Sequence, residues 1–228
     1  MAVLPSRTFL RLLSRRLSKP RIDLRQIRAQ SVGLAGRHRI AVPTWLPLLD
    51  SGLTPRSREE VIGRSLAITA VSATCNGLNK EVAREWVTSE GLGAFLTPSE
   101  HGLLFEGLRG RPAFLFQIEG LWALLWALGF VDQLDHSQFC SERLVTLLPD
   151  LRVPEPSGTF RALARLRKAD ELLQELDLEY CLHSAIRDAE LRGRADSLNL
   201  VSYALVERRR ALEWLMSRDA WDDVELNT

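Results

Sequence analysis

A chain of 228 residues, 46% hydrophobic and 26% charged, is long enough to bury one substantial core and has an ordinary globular composition. Its formal net charge of +1 hides an asymmetry: residues 1–40 hold ten basic side chains and one acid, Asp23, leaving 20 basic against 28 acidic in the rest, which disfavours a broad nucleic-acid surface on the main body. Three cysteines, Cys75, Cys140 and Cys181, are too few and too dispersed for a disulfide framework and fit a reducing, cytoplasmic setting.

Residues 1–22 read as a basic amphipathic extension. A helix there places Phe9, Leu10, Leu13 and Leu17 on one arc and Arg7, Arg11, Arg15 and Lys19 opposite. That pattern suits a mitochondrial presequence if the source is eukaryotic, or an arm docking on an acidic partner, RNA or an anionic membrane surface. A frayed tail with no role is the bland alternative. A secretory signal is excluded, because charges interrupt every possible apolar stretch.

The domain expected over residues 23–228 begins with a short basic helix from Asp23 to Ala35. A proline-punctuated segment follows and is expected to wrap the body through Trp45, Leu46 and Leu49. Ser57 with Glu60 three residues on is a capping box opening a helix to about Asn76, where Asn76-Gly77 ends it. Lys80 to Glu90 is a second helix stopped by Gly91, and Thr97-Pro98 opens a third that ends near Gly107.

The run Gln117 to Asp132, QIEGLWALLWALGFVD, is the expected centre of the fold. Leu121, Leu124, Leu125 and Leu128 cover one side of its helix and Leu115, Trp122, Trp126 and Phe130 the other, so it is expected to be buried all round. Its uninterrupted apolar stretch, Gly120 to Val131, is 12 residues. A membrane span needs about 20. A short amphipathic piece at Ser141 to Leu148 precedes the three-proline stretch 149–158, a loop and candidate internal hinge. Thr159 to Arg192 reads as two helices meeting near Asp177, Gly193 to Asn199 as a polar turn, and about Leu200 to Ser217 as the last helix. No segment alternates as a strand would, so the fold class is all-α: one globular domain of about eight helices around the central apolar one.

Chemistry enters through polar groups on apolar faces. Glu119 lies on the tryptophan side of the central helix. Arg208 projects into the middle of the last helix's apolar arc, and Arg64 projects between Ile68, Val71 and Cys75. An arginine so placed must be paired or reach water. The economical solution pairs Glu119 with Arg208 or with Arg64. Tyr180, Ser184 and Arg187 gather on one face of their helix with His183 beside them, so Glu119, Arg64, His183, Arg187 and Arg208 form the candidate polar cluster: a register-fixing ion-pair network, or a ligand site. Arg209 and Arg210 are expected to be solvated. His136 and Cys140 at i, i+4 lack a second ligand pair, so no metal site and no cofactor is expected. Walker, G-x-G-x-x-G, G-x-S-x-G and H-E-x-x-H motifs are absent.

Three segments, IEGLWALLWALGFVDQL, LDLEYCLHSAIRDAEL and VERRRALEWLMSRDAWDDVELNT, in this order, resemble the mostly bacterial domain of unknown function 4272 family. SREEVIGRSLAITAVSATCNGL and VAREWVTSEGLGAFLTPSE are similar to its amino-terminal part. The resemblance covers about Leu24 to Thr228. It places Glu119, Arg64, Arg187, Glu207 and Arg208 where members carry the same residue types, while Cys181, Ser184, Glu213 and Asn227 depart from the family's usual Arg, Trp, Asn and Asp. It implies a fold and a bacterial leaning, and supplies no reaction. Two functions remain: a non-enzymatic interaction, regulatory or accessory protein that binds another protein, with Glu119 sealed and paired; or an enzyme or small-anion binder whose polar cluster converges on a cleft around Glu119.

Overall fold

The computed structural model describes residues 23–109, 112–193 and 198–227. The basic extension over 1–22 and most of the expected turn over 193–199 lie outside these residues. Within them are eight α-helices and no strand: α1 (Leu24–Arg37), α2 (Arg58–Cys75), α3 (Lys80–Ser89), α4 (Pro98–Phe105), α5 (Pro112–Ala127), α6 (Gly158–Leu163), α7 (Ala169–Leu191) and α8 (Ser202–Met216). No helix among the described residues is long and apolar enough to cross a membrane.

The punctuation residues act as their chemistry dictates. Asp23 caps α1 by accepting from the Arg25 and Gln26 N–H groups. Ser57 and Glu60 close a full capping box on α2, and Thr97 and Glu100 close another on α4. Gly77, Gly91 and Gly107 adopt positive φ just beyond α2, α3 and α4, a conformation in which a Cβ is strained.

The central helix is shorter than its apolar run. It ends at Ala127 rather than Asp132, because Gly129 turns at φ +79° and Phe130 N–H bonds back to the Leu125 carbonyl. The segment after α6 crosses this end: Arg165 N–H donates to the Leu128 carbonyl at 2.7 Å and Arg167 N–H to the Ala127 carbonyl at 2.9 Å. A Cβ on Gly129 would stand 3.2 Å from the Arg165 carbonyl oxygen. The Arg167 guanidinium adds bonds to the carbonyls of Trp126 and Val131. Burial all round holds from Ala123 to Leu128, but Trp122 is only partly buried, and Leu115 and Phe116 near the other end are 44% and 46% exposed.

Two further expectations are corrected. No break occurs at Asp177: α7 runs 23 residues through it, and the helix boundary falls earlier, between Leu163 and Ala169. Asp177 is a buried partner for Arg28 rather than a cap. Residues 41–57 do cross the body, with Leu46 buried and Arg28 donating to the carbonyls of Leu46 and Pro47, yet Trp45 is 64% exposed and anchors nothing. The 149–158 segment is tied to α3 through Trp86 Nε1, which donates to the Glu155 carbonyl at 2.8 Å, and through a bond between Ser157 and Glu90.

α5 lies against α8 and α2, while α7 lies against α1 and α8. Two apolar clusters result. The larger runs from α2 through α5 to the first half of α7 (Leu172, Leu173, Leu176) and the second half of α8 (Ala211, Leu212, Leu215). The smaller joins Ala35 and Ile40 to the second half of α7 (Leu178, Leu182, Ala185, Ile186) and the first half of α8 (Leu205). Both α7 and α8 therefore pass from one cluster to the other. At that crossing they carry Asp177 and Glu179, and Arg208 and Arg209, all buried.

Candidate functional site

The polar layer is made possible by a close helix crossing. Gly120 of α5 faces α8, where a Cβ would lie 3.4 Å from the Glu207 carbonyl and 3.5 Å from Ala211 Cβ. This approach brings Glu119 to Arg208. Arg208 Nε and Nη2 donate to Glu119 Oε2 at 3.0 and 2.8 Å, and the Cys140 N–H donates to Oε1 at 2.8 Å. The remaining guanidinium donors reach the Asp135 carbonyl at 2.6 Å and the Gln138 carbonyl at 2.9 Å. Both side chains are almost completely excluded from solvent, at 1% and 3%. Burial and the neighbouring Glu119 carboxylate push the Cys140 thiol up to about 12, which removes it as a nucleophile.

Arg64 belongs to a different site. It forms a two-pronged pair with Glu100 at 2.6 and 2.8 Å, donates to the Phe95 carbonyl and stacks 4.2 Å over the Trp221 ring. The expected Glu119 to Arg64 alternative is thereby corrected: the acid that binds Arg64 is the capping-box residue of α4, which sequence spacing presents only as a local cap. Glu100 Oε2 serves both, also accepting the Thr97 N–H at 2.8 Å.

Arg187 lies on the surface and pairs with Glu190 one turn on. His183 is buried against Arg209, whose Nη1 donates to His183 Nδ1 at 2.7 Å. Arginine only donates, so Nδ1 is the acceptor and the ring proton sits on Nε2. Arg209 is 2% exposed, stacks 4.6 Å over Tyr180 and bonds Glu213 and the Asn227 carbonyl, which corrects its expected solvation. Of the five candidate residues, only Glu119 and Arg208 touch; Arg64, Arg187 and His183 each have other partners.

Burial, with the positive charges of Arg209 and Arg187, holds the His183 imidazole down at about 4. The unfolded chain, with an ordinary histidine near 6.5, takes up a proton in the interval where the folded chain does not, so stability falls as pH drops from about 6.5 toward 4. Between pH 7 and 5 the contribution of His183 falls by about 1–2 kcal/mol, partly offset by His136, whose raised pKa makes its own contribution grow over the same interval. Urea unfolding of the natural chain and of His183→Gln at the two pH values checks it: the natural chain should lose about 1–2 kcal/mol relative to the variant as pH falls.

Sequence reasoning considered His136 only beside Cys140 and missed its partners Glu175 and Glu179. His136 points to α7 and not to Cys140: its Nε2 lies 3.2 Å from Glu175 Oε1 and 3.5 Å from Glu179 Oε1. Burial alone would lower the imidazole pKa, but the Glu179 and Glu175 carboxylates overcome it and raise it to about 10. Glu179 is fully buried, and desolvation raises its own pKa. The signal available in the chain was the i, i+4 pair Glu175 and Glu179 on one helical face.

Separate from the polar layer is an open groove of about 920 Å³ between the end of α2, the side of α5 and a 3₁₀ segment, Glu142–Leu147, with the residues after it. Its walls include Leu78, Ile118, Leu121, Leu144, Leu148 and Leu151.

Fold and layer together define an all-α domain whose two apolar clusters are joined by buried ion pairs. The family model "Domain of unknown function (DUF4272)" matches residues 28–224, and the chain belongs to that family. No curated protein and no solved structure matches it.

Proposed function

We propose that this protein works by binding another protein, as a non-enzymatic interaction, regulatory or accessory factor. The observation that carries this reading is the state of Glu119: it is sealed, both oxygens are bonded, and its partner Arg208 is fixed by two backbone carbonyls. An acid so committed serves helix register better than proton transfer.

The groove beside α5 is the face best suited to a partner. Much of its polar lining is already satisfied within the chain: Asn76 donates to the Ser72 carbonyl, Asn79 caps α3, Thr146 donates to the Arg143 carbonyl and Asp150 pairs with Arg152, while the buried Ser72 hydroxyl has no partner among the described residues. What the groove offers is apolar area, which fits an amphipathic segment laying its aliphatic or aromatic side chains into it. The basic residues 1–22 favour a partner that is also acidic, drawn in by long-range attraction.

Selection from a displayed peptide library against the full chain tests this reading. Enriched peptides are expected to carry apolar residues at helical spacing with acidic residues between them, and to bind more weakly as salt is raised. Val145 lines the groove and is 70% exposed, so Val145→Asp spares the core. It should weaken those peptides at least tenfold; equal binding by the variant would refute the groove as the docking face.

A further inference from the structure

We propose that His136, Glu175 and Glu179 form a binding site for a first-row divalent metal ion of the zinc or manganese type. The three side chains place one ligand atom each within 4.8 Å of one another, among the described residues. Tetrahedral coordination with bonds of roughly 2.0–2.1 Å sets neighbouring ligand atoms a little over 3 Å apart. The distances of 3.2 and 3.5 Å from His136 Nε2 to the two carboxylates match that spacing. The third edge, between the two carboxylates, is no longer than 4.8 Å.

The placement is built rather than accidental. Glu175 and Glu179 stand one turn apart on α7, so both carboxylates reach the same side. His136 comes from the loop after α5, and its carbonyl accepts the Val201 N–H at 3.0 Å, which anchors the histidine backbone independently of anything held by its ring.

A second observation points to a cation. Glu179 is 0% exposed, and neither of its oxygens accepts a hydrogen bond. Buried carboxylates are ordinarily paired and hydrogen-bonded or coordinate a metal. The nearest cations on α8 do not serve it, since Arg208 is bonded to Glu119 and Arg209 to Glu213 and His183. Glu179 is aimed at His136, whose Nε2 stands 3.5 Å away, so an ion bound here displaces the imidazole proton and takes its place between the two side chains. One imidazole with two carboxylates suits zinc, manganese or iron better than the all-oxygen shells of calcium and magnesium. His136 and Glu175 are 17% and 16% exposed, so an ion enters past them and a water completes its shell on that side, with Glu179 at the back.

A bound ion would brace the polar layer. The loop that carries His136 also supplies the Asp135 and Gln138 carbonyls to Arg208 and the Cys140 N–H to Glu119. Fixing His136 to α7 therefore fixes the shell around the buried pair as well.

The full chain, freed of metal by chelation and dialysis, is titrated with Zn2+, Co2+ and Mn2+ by calorimetry, with Co2+ visible absorption reporting coordination. One ion per chain is expected, with a rise in Tm on loading. Glu175→Gln, conservative and partly exposed, should weaken binding at least tenfold, and so should His136→Ala. Cys140→Ser should bind as the natural chain does. Absence of one-to-one binding in the natural chain overturns the proposal, as does an affinity unchanged by Glu175→Gln. Should His136→Ala fail to fold, Glu175→Gln and the Co2+ spectrum carry the test.

Discussion

Replacing Arg208 with methionine is expected to cost about 3–5 kcal/mol of stability, the range for removing one partner of a buried ion pair. Three losses coincide. Glu119 remains as a charge at 2% exposure, and the carbonyls of Asp135 and Gln138 lose their donors. Unpaired buried groups retain their full desolvation penalty, which is why the loss exceeds the net value of the bonds themselves. The Tm should fall by roughly 10 °C for a domain of this size. Adding Glu119→Leu removes the stranded acid and should recover half or more of the loss, since a buried pair and an apolar replacement of similar volume are often equivalent. Urea unfolding of the natural chain, both single variants and the double variant gives the coupling directly. A single-variant loss under about 1 kcal/mol would mean that Glu119 reaches water, and would reopen it as a site.

Glu100→Ala is expected to be nearly as damaging, at about 3–4 kcal/mol, because it strands Arg64 at 2% exposure. Arginine does not lose its proton, so the charge has no means of relief. The same substitution removes a capping box, since Glu100 Oε2 also holds the Thr97 N–H that starts α4. Glu100→Gln keeps one acceptor oxygen, enough for Arg64 Nη1 and the Thr97 N–H, but turns an amide NH2 toward Arg64 Nη2 and leaves the charge unneutralised, so it should recover only the capping part of the loss. Trp221 adds a second readout. It stacks over Arg64 and meets Trp214 edge-on at 5.4 Å, so its fluorescence should shift as the arginine loosens. Thermal melts followed by fluorescence and by far-UV circular dichroism check both effects. Coincident curves would show that the Arg64 pair is part of the global unit, and an earlier fluorescence transition would show local opening around α4.

The two pairs also show why the candidate site was only half legible. Arg208 and Glu119 were each conspicuous as charges on apolar helical faces, and projecting each helix is enough to identify both as inward-facing. Which acid meets which arginine depends on the angle and distance at which α5 and α8 cross. Gly120 sets that distance, and helical periodicity within one segment carries no record of it. Arg64 therefore looked equally eligible for Glu119. Its partner, Glu100, was visible only in its local role at the start of α4. Arg209 was misplaced for a related reason: the projection of α8 alone puts it away from the core, but α7 covers that side and supplies His183 and Tyr180.

By itself the sequence determined the all-α class of this protein and most of its helix ends, because capping residues, positive-φ glycines and apolar periodicity act within a few residues of one another and do not depend on what lies across the core. It also marked Glu119 and Arg208 as inward-facing charges that had to be paired with each other or with another group, or open onto a cleft. Tertiary structure reinforces the stop that Gly129 sets locally at the end of the central helix, where the Arg165 and Arg167 N–H groups take up the carbonyls of Leu128 and Ala127. Tertiary structure alone decided what Asp177 does inside the continuous α7, where Arg28 from α1 meets it as a buried partner. And it alone brought His136 to Glu175 and Glu179 across 39 residues of chain in the first case, a meeting governed by where a loop is pinned and which face of α7 is turned toward it.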